Sequence, residues 1–145
     1  MRKTIIKGFF LLSVVVLVIT ACDDVGQLQL PTKERVTFAL VLNTRIYDGL
    51  TIFADLKENV EGGAKETIEG IFDDYPNTTI QSWAKMTTLE KIWTNQGYFL
   101  DFYIDMDGSD TKTTGDMTGV QNFDVRTNAV WSETKYYAEE LTTVD

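Results

Sequence analysis

Gly97-Tyr98-Phe99-Leu100-Asp101-Phe102-Tyr103-Ile104-Asp105-Met106 is the stretch that decides the fold. Tyr98, Leu100, Phe102, Ile104 and Met106 share one face, and Phe99, Asp101, Tyr103 and Asp105 share the other. A period of two is the signature of a strand, and a continuous aromatic and aliphatic face marks one that lies centrally in a sheet.

Upstream of it, Val36–Leu42 reads as a strand that is apolar on both faces. Leu50–Leu56 alternates as a second, expected to pair with the first as a hairpin across the Asp48-Gly49 turn dipeptide. Residues 64–72 read either as a short helix or as an irregular strand, and Thr78–Met86 as a strand. From Thr87 to Gln96 two readings compete. Thr87 with Glu90 matches a capping box, but Leu89, Lys91 and Trp93 also alternate. Downstream, residues 120–126 and 129–131 give one or two strands. The tail after Ser132 reads as a short helix or a closing strand, with the strand preferred.

Several short strands separated by turn residues predict a mainly β domain, an antiparallel β-sandwich with at most one or two short helices. The run from Gly97 to Asp105 into Asp105-Met106-Asp107-Gly108 resembles the glycine-aromatic strand and Asp-x-Asp-Gly loop of transthyretin-like, or prealbumin-like, sandwich modules. The resemblance implies a fold and carries no activity with it.

The segment Asp105–Asp116 spans 12 residues. Calcium takes six to eight hard oxygens, and an EF-hand loop supplies them from fixed positions of a loop of this length. Those positions hold Asp105, Asp107, Ser109, Thr111 through its carbonyl, Thr113 and Asp116. The pattern is similar to the calcium loops of dockerin-type modules, which also end in aspartate. Asp110 replaces the usual glycine at the sixth position. Aspartate tolerates the left-handed conformation needed there better than most residues. The competing reading is a polar hairpin connection whose Asp, Gly and Thr residues serve turns.

The beginning of the chain is an address. Arg2, Lys3 and Lys7 precede a 12-residue run, Gly8–Ile19, that is apolar except for Ser13. A span needs ~20 apolar residues, so the run fits a secretory signal peptide better than a membrane helix. It ends in Ile19-Thr20-Ala21-Cys22, which contains the only cysteine. These four residues resemble the lipobox of bacterial lipoproteins. The resemblance implies cleavage before Cys22, acyl chains on its sulfur and amino group, and a membrane contact made through lipid. One acyl chain holds marginally, whereas two or three hold firmly. The organisation expected is a signal peptide over residues 1–21, a lipidated terminus and tether over 22–35, and the β-sandwich over 36–145.

Composition narrows the function classes. After the leader, 10 basic residues face 22 acidic ones, a net charge of −12. That argues against nucleic acid, whose binders are basic. The absence of histidine removes the commonest general base and the commonest metal-binding imidazole. With Cys22 lipidated, no disulfide is available. Asp101 and Asp105 lie ~13 Å apart at the strand rise, beyond the ~5–9.5 Å of glycosidase carboxylate pairs. No catalytic residue emerges. Trp83, Trp93, Trp131, Phe53, Phe99 and Tyr103 read first as core, and otherwise as an aromatic patch for a sugar or a partner. The expectation is a lipid-anchored bacterial envelope protein that is not an enzyme. Its domain binds or scaffolds an envelope protein or glycan partner, with calcium as candidate cofactor. The alternative is a carboxylate-dependent envelope hydrolase.

Overall fold

The computed structural model describes residues 30–145, and alternating side chains fold half of these into strands. In chain order the strands are β1 (Lys33–Glu34), β2 (Thr37–Leu42), β3 (Thr51–Lys57), β4 (Glu66–Asp74) and β5 (Ser82–Thr87). They continue as β6 (Ile92–Trp93), β7 (Gln96–Ile104), β8 (Met117–Val125), β9 (Trp131–Tyr136) and β10 (Thr142–Thr143). The helical content among these residues is a single turn of 3₁₀ helix, Ala138–Glu140. No helix among them is long and apolar enough to cross a membrane. Cys22 and the expected signal peptide lie outside the described residues.

Eight strands form one curled sheet in the order β10-β8-β7-β3-β4-β5-β2-β9, and β1 pairs with β6 beside it. The sheet turns over at β4. Glu66–Ile71 pairs with β3, and Phe72–Asp74 pairs with β5. Gly70 permits the crossing, because a Cβ there would lie 2.6 Å from the Lys85 carbonyl oxygen. The two halves face each other as sandwich-like layers. Phe38 of β2 meets Phe123 of β8 edge-on at 5.2 Å, and Phe102 of β7 meets Tyr136 of β9 at 5.3 Å. Gly119 makes room for the latter pair: a Cβ would fall 2.7 Å from both rings' outer atoms.

The core is one cluster of alternate residues, including Ile52, Leu56, Ile68, Phe72, Met86, Tyr98, Leu100, Phe102 and Ile104. Each fully buried side chain of this size is worth ~1.5–3 kcal/mol relative to exposure. β7 lies centrally, paired with β3 along one edge and with β8 along the other. The sheet is antiparallel with one exception, since β9 runs parallel to β2.

Two expectations change and two open readings resolve. β2 does not form a hairpin with β3. It pairs with β5 and β9, because Tyr47 in the connection is drawn into the core and β3 starts in the opposite layer. The capping box at Thr87 forms no helix; Leu89 N–H and Glu90 N–H bond instead to the Glu66 carboxylate, at 2.8 and 3.4 Å. Of residues 64–72, the part from Glu66 on is strand, the second of the two readings. The end of the expected tether is ordered, with Thr32 N–H donating to Thr94 Oγ1 at 3.0 Å and Lys33 Nζ 4.8 Å over the Trp93 ring.

Candidate metal centre and surface sites

The loop Asp105–Asp116 leaves the end of β7 and returns as β8. Three bends turn it back: Gly108, Asp110 and Gly115 have φ of +74°, +57° and +100°. Asp110 therefore occupies the left-handed position that glycine fills in loops of this kind.

The Asp105 and Asp116 carboxylates are buried at the centre of this loop. Asp105 Oδ2 accepts the Asp110 N–H at 2.9 Å, and its Oδ1 accepts from Gly108 at 2.8 Å and Ser109 at 3.2 Å. Asp116 Oδ1 accepts from Met106 N–H at 2.9 Å, and Oδ2 from Thr113 N–H at 2.7 Å. The Asp110 amide, followed by those of Gly108 and Ser109, holds the Asp105 carboxyl below its ordinary range against the cost of burial. One oxygen each of Asp105, Asp107 and Asp116 lies within 4.8 Å of the others. Three carboxylates at that separation repel unless a cation or donors intervene, and hard oxygens are the ligands that calcium and magnesium take.

Of the six residues expected to coordinate, the structure brings four together. Thr113 Oγ1 joins the triad, donating to Asp107 Oδ2 at 3.2 Å or Asp116 Oδ2 at 3.3 Å. Ser109 and Thr111 do not turn inward. The Ser109 hydroxyl donates to the Thr111 carbonyl at 2.9 Å, which occupies the oxygen expected to bind the ion. Ser109 meets the carboxylates of Asp105 and Asp107 through its amide instead.

The aromatic residues expected in the core lie on the outer side. Trp93 and Trp131 are exposed, and Trp83, Phe53, Phe99 and Tyr103 half-buried. Their strand positions alternate with inward residues that already fill the interior, so they face out. Phe53 and Tyr103, directly paired across β3 and β7, stack at 5.2 Å with 21° between the rings. Trp83 and Trp131 meet at 5.7 Å over the small residues of β2, and Tyr75 abuts Trp83 at 5.2 Å. Ala39 and Val41 of β2 are thereby buried on their outer side as well.

Asp55 and Asp101 also stand opposite each other across β3 and β7, a pair that the linear sequence does not reveal. It is visible only once the register is known. Thr67 Oγ1 donates to Asp55 at 2.6 Å, and Lys57 Nζ bonds Asp101 at 2.7 Å. The Asp101 contact raises the Lys57 pKa. Asp105, unlike Asp101, turns its carboxylate into the loop.

No protein-family model, no curated protein and no solved structure matches this chain.

Proposed function

We propose that this chain is a bacterial lipoprotein, held in the cell envelope by acyl chains on Cys22. Its β-sandwich-like domain binds or scaffolds an envelope protein or glycan without catalysing a reaction. The observation that carries the reading is the lone cysteine, placed after two small residues at the end of a basic and then apolar leader. The test replaces Cys22 with serine in cells fed labelled palmitate. The reading expects loss of label and of membrane attachment; a variant that stays membrane-bound contradicts it.

The same reading assigns calcium to the loop, with Asp105, Asp107 and Asp116 as carboxylate ligands and Thr113 beside them. Burial of Asp105 and Asp116 at the hub of a loop with three left-handed residues supports this. Extracellular modules bind calcium with a dissociation constant of ~10⁻⁴–10⁻³ M. The ion would pin the connection between β7 and β8, a structural role.

The hydrolase alternative finds its best footing in Asp55 and Asp101. A retaining glycosidase needs two carboxyl groups ~5–5.5 Å apart, one of them protonated at working pH. Lys57 and the Thr67 hydroxyl already bond these two carboxyl groups, an arrangement that suits surface recognition. Binding is therefore the reading retained.

A further inference from the structure

The curled sheet brings its two ends together without joining them. β9 pairs only with β2, and β8 beyond Thr118 pairs only with β7, so their free edges face each other across a cleft. The cleft has a volume of about 420 Å³ and a mainly polar lining, in which Trp131 is the exposed aromatic residue and Phe123 is buried beneath. We propose that this cleft binds a neutral glycan, with Trp131 as the stacking surface and Asn122, Asp124, Arg126 and Glu133 as partners for sugar hydroxyls. The proposal rests on the binding-module reading above and names its ligand class.

Open strand edges carry main-chain N–H and C=O groups that need partners, and an added strand is the usual solution. Here side chains already bridge the gap. Ser132 Oγ donates to the Asp124 carbonyl at 3.1 Å, and Gln121 Nε2 to Thr134 Oγ1 at 3.3 Å. A strand would need ~4.8 Å of clearance on each side, so these crossings bar it. A sugar ring seated at the mouth, over the crossings, leaves them intact.

The lining decides among small ligands. An apolar ligand would strand the polar groups unpaired. An anionic sugar would meet two carboxylates, Asp124 and Glu133, against the single guanidinium of Arg126. A neutral polyol uses both kinds of group: hydroxyls donate to the carboxylates and accept from Arg126 through charge-assisted bonds, and accept from the neutral Asn122 amide. The side chains of Asn122, Asp124 and Arg126 make no hydrogen bond or ion pair to other described residues, so their bonding capacity is available.

The wall is held in place in advance. Trp131 is 41% exposed yet tilts against Trp83 at 5.7 Å. Trp83 is in turn fixed by Tyr75 at 5.2 Å and by Lys85 Nζ 4.3 Å over its ring. The Tyr75 hydroxyl donates to Glu133 Oε1 at 2.8 Å, which orients that carboxylate and leaves Oε2 for a ligand. Rings and carboxylates ordered before binding lose less entropy on binding.

The test titrates the ¹⁵N-labelled full chain in detergent with cellohexaose, maltohexaose and chitohexaose, and separately with polygalacturonate. At least one neutral hexasaccharide is expected to shift the Trp131 indole signal and the amides of residues 122–134. Trp131→Ala should weaken that binding about tenfold or more, the loss expected of a buried aromatic anchor. Arg126→Ala, which removes no side-chain hydrogen bond or ion pair among the described residues, should weaken it with an unchanged melting temperature. The proposal is overturned if none of the three neutral sugars shifts these signals. It is equally overturned if polygalacturonate alone binds, or if both variants bind as tightly as the parent. Acyl labelling and calcium-dependent melting read the anchor and the loop separately, so failure here leaves those readings standing.

Discussion

Asp116 is wholly buried and accepts the Met106 N–H at 2.9 Å, tying the start of the acidic loop to its end. A second oxygen of the same carboxylate takes the Thr113 N–H at 2.7 Å. Asp116→Ala leaves both part-buried amides without their acceptor, and a donor left unsatisfied out of water's reach costs about 1–3 kcal/mol. The expected result is a destabilisation of ~3 kcal/mol and a fall in Tm on the order of 10 °C, read by thermal denaturation. Asp116→Asn, which keeps one oxygen, should fall between variant and parent.

Calcium should raise the melting temperature, and a chelator should reverse the rise. At an ion concentration 100 times the dissociation constant the stabilisation is ~2.7 kcal/mol. Asp107→Ala removes the exposed member of the triad, so it should abolish the response to calcium while barely changing the melting point in chelator. Identical transitions with and without calcium would count against a bound ion.

Acid should loosen the same loop. The Asp105 carboxyl lies below its ordinary value of 3.8 because amides, first that of Asp110, bond its charged form. A carboxyl depressed in the folded state stabilises that state fully above the ordinary value, and the contribution fades as pH falls through the lowered one. Calcium-free melting should therefore drop as pH descends from about 5 through this range. Asp105→Asn should flatten that part of the profile and be less stable at neutral pH.

Gly70 tests the turnover of the sheet. An added β-carbon would sit 2.6 Å from the Lys85 carbonyl oxygen, a backbone atom that cannot move without disturbing the β2–β5 pairing. Gly70→Ala is expected to lose ~2 kcal/mol or more, as overpacked sites do. Gly63→Ala, with open space around it, should be nearly neutral. Denaturant titration separates the two.

Much of this architecture is written in short-range alternation. Tyr98 to Ile104 declares a central strand by itself, and both faces of β2 are apolar because β2 is covered on both. What alternation does not carry is which strand pairs with which. The Asp48-Gly49 dipeptide advertises a turn and is one, yet the chain leaving it joins the opposite layer. Partner choice depends on Tyr47 entering the core and on Gly70 letting β4 cross β5, both long-range effects. For the outer aromatics, strand alternation gives two faces but not which one is inside. Trp83 and Trp131 thus read as core, although Ala39 and Val41 are what they cover.

In the loop, the spacing of Asp105, Asp107 and Asp116 marks the carboxylates that come together. Ser109 and Thr111 satisfy one another locally, a competition that spacing does not weigh. The Asp55–Asp101 pair is set by the register of β3 against β7.

The most direct measurement is the intact mass of the protein extracted from membranes, with sequencing of its first peptide. The account predicts a chain that begins at Cys22 and carries a diacylglyceryl group on its sulfur. A chain that still begins at Met1, or one whose Cys22 thiol is free, would contradict it.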